Sequence, residues 1–150
     1  MPRNKNILFV TTHSIPDLHY GGVVESGSKL FSNLREISKI PINLICVSKN
    51  PKSFNSSFIY KSILFHRWGF SLNLVIPLFR KIYNSEKIFI NGIVTFPTTL
   101  ALFYSVILKK DFIVSIRGGL EPWRINHKKW KKYFYFRLFV YPFIKFAKLI

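Results

Sequence analysis

The chain has 150 residues, and 23 Lys and Arg against 6 Asp and Glu give it a formal net charge of +17. A composition that is 49% hydrophobic and 17% aromatic excludes a disordered tail, which would be charged and poor in Phe, Tyr and Ile. The length suits one domain able to bury roughly 70% of its unfolded surface. The lone Cys46 excludes a disulfide framework and a multi-cysteine metal site.

Taken in chain order, apolar runs of strand length alternate with segments of helical spacing. Ile7–Thr11 is a continuous apolar run, as expected of a strand buried on both faces. A loop follows over Thr12–Gly22, carrying Pro16, Asp17, Gly21 and Gly22. Val24–Ile37 sets Val24, Leu30, Phe31, Leu34 and Ile37 largely on one helical face. Pro41 ends that segment, and Ile42–Val47, holding Cys46 as a small buried hydrophobe, predicts a second strand. Ser57–Phe65 predicts a third. Leu72–Tyr83 has helical periodicity, with Pro77 marking a start or kink inside it. Lys87–Asn91 predicts a fourth strand, Phe96–Lys109 a helix with Pro97 in its first turn, and Phe112–Ile116 a fifth strand. A glycine-flanked loop spans Arg117–Trp123, and a basic, aromatic helical region runs from Asn126 toward Ile150, interrupted at Pro142. This alternation predicts an α/β fold, a Rossmann-like open parallel sheet flanked by helices, in which ligands bind beyond the C-terminal strand ends.

The charge invites a polyanion, whether nucleic acid, anionic lipid or a phosphorylated substrate. A compositional habit favouring Lys, Ile, Asn and Phe together accounts for part of it. Past Glu121 no acidic residue occurs, while Arg124, Lys128, Lys129, Lys131, Lys132, Arg137, Lys145 and Lys148 follow. The apolar run behind the basic N-terminus is too short for a signal peptide. The apolar stretch 133–150 is broken by Arg137, Pro142, Lys145 and Lys148, so no transmembrane helix and a cytoplasmic chain are expected.

Four segments carry candidate chemistry. Tyr20-Gly21-Gly22 before a helix lets backbone N–H groups face a phosphate, although taken alone it reads more readily as a plain turn; it is not a GxGxxG fingerprint. Ser115-Ile116-Arg117-Gly118-Gly119-Leu120-Glu121-Pro122-Trp123 presents an Arg able to bond a phosphate twice, and a Glu suited to sugar hydroxyls or to an ion pair with Arg117 or Arg124. Asn91-Gly92 either offers an amide to a hydroxyl or forms an ordinary turn. Lys128, Lys129, Lys131 and Lys132 around Trp130 suit an anionic membrane, a single strand of nucleic acid, or plain solvent. His13, His19, His66 and His127 show no metal-ligand spacing, so no metal is expected, and His13 alone lies in a candidate site loop.

The segment "SIRGGLEPWRINHKKWKK" resembles the N-terminal domain of family 4 (group 1) glycosyltransferases, whose strand often ends in Ser-Pro-Arg-Gly ahead of Leu-Glu-Pro-Trp and a basic helix. Ile116 stands here in place of the usual Pro. "ILFVTTHSIPDLHYGGVVES" resembles the same family's first strand, Pro-containing loop and Gly-Gly pair, and "IFINGIVTFPTTLAL" its strand and helix ahead of the Arg loop, with Asn91 where a His is common. The three segments stand in the family's order.

The resemblance implies the N-terminal, acceptor-side half of a GT-B enzyme that retains anomeric configuration and needs no metal, its substrates a nucleotide-sugar and a surface polysaccharide or glycolipid acceptor. Gly21, Gly22 and Arg117 would meet the donor diphosphate, with Arg117 the catalytic residue. His13, Asn91, Glu121, Trp123 and Arg124 would lie on the acceptor side. Lys128, Lys129, Lys131 and Lys132 would face a membrane, making the protein peripheral at the inner face of the plasma membrane, with no nucleic-acid partner. No Glu-rich donor segment occurs in the sequence, so residues 1–150 are expected to be a truncated domain, inactive alone and lacking the donor-binding domain. The competing expectation is a non-catalytic basic module for anionic membrane or nucleic acid.

Overall fold

In the computed structural model, the described residues are 5–14, 21–51, 57–116 and 133–149. The strands are β1 (Ile7–Thr11), β2 (Ile42–Ser48), β3 (Ser57–Lys61), β4 (Lys87–Asn91), β5 (Asp111–Ser115) and a two-residue β6 (Lys148–Leu149). They form one all-parallel sheet in the order β3-β2-β1-β4-β5-β6. Parallel neighbours require crossovers, and helices supply those from β1 to β2, from β3 to β4 and from β4 to β5. The helices are α1 (Gly22–Ile37), α2 (Val75–Asn84), α3 (Phe96–Ile107) and a short α4 (Tyr141–Ile144). The predicted α/β, Rossmann-like open sheet is therefore the fold observed.

Alternation along each strand feeds two apolar layers. On one face, Phe9, Leu44 and Cys46 pack with Phe31, Leu30 and Leu34 of α1. On the other, Leu8, Val10, Ile45, Val47, Ile88, Ile90 and Val114 pack with α2, α3 and α4. The two layers explain the unbroken apolar runs in sequence, because neither strand face meets water. Phe9 anchors the α1 layer through rings stacked on Phe89 at 5.0 Å and tilted on Phe31 at 5.6 Å.

Several elements differ from their predicted bounds for identifiable reasons. β3 ends at Lys61, four residues early, because the chain turns into a hairpin in which the Ile63 N–H donates to the Phe70 carbonyl at 2.8 Å. A 3-10 turn over Leu72–Leu74 precedes α2, which begins at Val75, so Pro77 falls in the first turn where its missing N–H costs nothing. Thr95 and Thr98 form a capping box at the start of α3, the Thr95 N–H reaching Thr98 Oγ1 at 3.4 Å. Ile37 ends α1 exposed, off the buried stripe. Pro142 does not interrupt the C-terminal helical segment. It sits in the first turn of α4, behind a π-helical stretch over Phe136–Val140 in which the Tyr141 N–H bonds the Phe136 carbonyl. That wider register is how the backbone accommodates a residue with no N–H of its own.

The second layer gives α2 two distinct faces. Leu74, Leu78 and Ile82 recur every four residues and are fully buried, whereas Leu72, Ile76 and Tyr83 face outward. Leu78→Ala should cost about 2–5 kcal/mol in denaturant unfolding through lost transfer energy and the cavity left behind. Ile76→Ala, one step round the same helix, should change stability by no more than about 0.5 kcal/mol.

Candidate functional site

The sheet order reverses direction between β1 and β4. The crossover leaving β1 runs through α1 on one face, and those entering and leaving β4 run through α2 and α3 on the other. The C-terminal ends of β1 and β4 therefore mark the switch in strand order, the position at which open α/β sheets hold ligands.

A row of polar residues crosses that edge. Thr11 pairs in register with Asn91, and Asn91 with Ser115, so β1, β4 and β5 end side by side. All three residues are buried. The Asn91 side chain donates from Nδ2 to Thr11 Oγ1 at 3.3 Å, and Thr11 Oγ1 points in turn to the His13 carbonyl at 3.5 Å. Gly92 continues the row, its N–H donating to the Ser115 carbonyl at 2.8 Å.

Above the row, the loop after β1 is fastened to three neighbours. Thr12 Oγ1 lies 2.6 Å from Thr95 Oγ1. His13 is buried with Nδ1 3.1 Å from the Val47 carbonyl. A carbonyl only accepts, so this nitrogen carries the proton. Ser14 Oγ lies 3.2 Å from Ser28 Oγ on α1. The sequence ran these residues together as one loop; the structure makes them a polar seam joining β1, β2, α1 and the start of α3.

Gly21 and Gly22 stand at the head of α1, both exposed. Gly21 adopts φ 98°, a conformation that side-chain-bearing residues rarely take, and its carbonyl accepts from the Val24 N–H at 3.0 Å. Among the described residues, nothing lies within 4 Å of a Cβ built on Gly22, so their packing does not demand glycine there. Glu25 completes the first turns, paired with Lys29 at 2.8 Å. The Lys29 hydrogen bond and charge hold the Glu25 carboxyl below its ordinary range.

Among the sequence-derived site residues, Gly21, Gly22, His13 and Asn91 thus belong to the C-terminal edge of the sheet. Asn91 is only 2% exposed and directs its amide to Thr11 beneath α1. Arg117, Glu121, Trp123 and Arg124, and the lysines Lys128, Lys129, Lys131 and Lys132, lie outside the described residues. Among the described residues, no group of three or more His, Cys, Asp or Glu side chains could hold a metal ion. Sequence reasoning gave Thr12 and Thr95 no bonding role and passed over Trp68. Trp68 meets Phe70, Phe96 and Tyr135 in ring contacts, and its carbonyl accepts from the Phe96 N–H at 2.9 Å. Tyr135 donates to Thr99 Oγ1 at 2.7 Å, and burial pushes its hydroxyl above the usual tyrosine range against the pull of hydrogen bonds with Thr99 and Trp68. The Trp68-Gly69 pair was the available turn signal for this corner. No family model, curated protein or solved structure matches the chain.

Gly27, on the buried face of α1, presses directly on this seam, since a Cβ there would stand 2.5 Å from Asn91 Nδ2. Ala ordinarily gains about 1 kcal/mol over Gly inside a helix. Gly27→Ala should instead destabilise the protein by about 1–3 kcal/mol, as overpacking does. In an Asn91→Ala background the clash disappears and the same substitution should become neutral or stabilising. Thermal or urea unfolding of the four proteins in this double-mutant cycle measures the coupling, which simple helix propensity would set to zero.

Proposed function

We propose that this chain is the acceptor-side domain of a retaining glycosyltransferase that moves a sugar from a nucleotide-sugar to a surface polysaccharide or glycolipid. The observation that carries the reading is the register row Thr11–Asn91–Ser115. The three segments that resemble family 4 glycosyltransferases follow or contain the ends of β1, β4 and β5, and those ends lie side by side at the switch in strand order. A parallel sheet with this edge offers backbone N–H groups at the head of α1, a chemistry suited to a diphosphate.

Mechanistically, departure of the nucleoside diphosphate builds negative charge on a phosphate oxygen. Preorganised donors stabilise that charge where it develops, without reorganising at the moment of reaction. In this reading the first-turn N–H groups of α1 and the Arg117 guanidinium supply those donors. Glu121, Trp123 and Arg124 hold the acceptor, whose hydroxyl must lie beside the breaking bond for the bond-forming step to become effectively intramolecular. The donor's nucleoside is bound by a second domain across the cleft, so turnover belongs to the two-domain enzyme.

Two substitutions separate this function from fold. Gly22→Ala meets open space among the described residues, so its midpoint of unfolding should match the parent's within about 0.5 kcal/mol. In the two-domain enzyme it should nevertheless weaken donor use, because the added methyl stands between the α1 N–H groups and the diphosphate. Arg117→Ala should lower turnover at least about a hundredfold, the scale on which one charge-stabilising donor acts, with circular dichroism unchanged. Transfer of radiolabelled sugar to a lipid-linked acceptor reads both. Near-normal rates in both variants would remove the glycosyl-transfer assignment from this edge.

A further inference from the structure

The connection from β3 to α2 is a hairpin whose lower part is firmly held. Leu64 bridges antiparallel to Phe70, Ser71 Oγ donates to the Lys61 carbonyl at 2.7 Å, and Ser62 Oγ lies 2.7 Å from His66 Nδ1. Trp68 fastens the returning strand to the head of α3 through its carbonyl and its ring contacts. The tip of this held turn nevertheless exposes three consecutive apolar residues, Ile63 at 48%, Leu64 at 56% and Phe65 at 74%.

Phe65 adds a second oddity. Its φ is 49°, in the left-handed region where a bulky residue is an outlier and where turns normally place Gly or Asn. The hairpin therefore keeps a large ring in water at a backbone position that disfavours it. The turn fixes that backbone, the Phe65 carbonyl accepting from the Trp68 N–H at 2.7 Å and the Gly69 N–H at 3.0 Å, but neither the turn nor core packing calls for a large ring there. A surface that removes the ring from water does.

Charge and side-chain shape select the surface. Lys61 and Arg67 flank the tip and are both exposed. No acidic residue occurs between Glu36 and Glu86, on either side of the hairpin in sequence, and the chain as a whole carries +17. The partner is therefore anionic. A single-stranded nucleic acid needs planar stacking platforms, and two of the three tip residues, Ile63 and Leu64, are aliphatic. Aliphatic and aromatic side chains collared by basic ones match the boundary between acyl chains and phosphate headgroups. We propose that the hairpin 62–71 docks the protein onto an anionic lipid surface, with Ile63, Leu64 and Phe65 entering the headgroup–acyl boundary and Lys61 and Arg67 against lipid phosphates. This stands independently of the glycosyl-transfer reading, since it needs neither donor nor acceptor.

Co-sedimentation of the full chain with phosphatidylglycerol-containing vesicles, against pure phosphatidylcholine vesicles, tests it. The parent should bind the anionic vesicles at least about tenfold more tightly, as the electrostatic contribution of two basic residues near the surface predicts. Phe65→Gly suits the left-handed backbone and should keep the fold by circular dichroism, yet weaken anionic-vesicle binding at least about tenfold through lost apolar burial. Leu64→Ser, whose backbone is unaffected, should weaken it in the same direction, and Arg67→Glu should do so with a loss of salt sensitivity. The proposal is overturned if the tip variants bind anionic vesicles as the parent does, which would place any attraction on basic residues elsewhere. It is equally overturned if the parent leaves vesicles unbound while holding a single-stranded oligonucleotide at physiological salt.

Discussion

Everything in this structure depends on β1 being buried on both faces between two parallel partners. Leu8, Phe9 and Val10 are fully buried, and each neighbouring strand reaches its place by a crossover on the opposite side of the sheet. A central strand so placed has no solvent face to vary, which is why its sequence is a continuous apolar run. The same arrangement sets the reversal of strand order beside β1.

The polar seam at that edge resolves a tension that the burial creates. Thr11, Asn91 and Ser115 end their strands inside the protein rather than at its surface, and the Thr11 and Asn91 side chains and the Ser115 carbonyl find partners along the row and in the adjoining loops. Thr12 with Thr95, and Ser14 with Ser28, extend this network to α3 and α1. A network of this kind fixes the loops against the sheet, because any displaced member would leave a buried polar group unsatisfied. The loops are thereby held in one geometry, with Gly21 and Gly22 exposed at the rim.

The strands and helices were legible in the sequence wherever burial was two-sided or periodic. Lys87–Asn91 stands as predicted, and β1, β2 and β5 shift by no more than a residue at either end. The strand order was not legible, because which neighbour β1 chooses is decided by tertiary packing. The hairpin was hidden because Ile63, Leu64 and Phe65 have the composition of a strand, and only the Ile63 N–H turning to the Phe70 carbonyl and the left-handed Phe65 reveal the turn. The role of Asn91 was half visible. An Asn before Gly announced a strand end, but its bond to Thr11 and its pressure on Gly27 join residues far apart in the chain.

The proposal places a diphosphate-bearing ligand at the edge where the strand order reverses. Backbone amide shifts of the isotopically labelled full chain, followed during titration with uridine diphosphate and guanosine diphosphate in parallel, address it residue by residue. The account predicts saturable shifts confined to Gly21–Val24, Gly92–Thr95 and Ser115–Ile116. Shifts at the opposite edge of the sheet, around Asn6, Pro41 and Glu86, or no saturable shifts with either nucleotide, would contradict it.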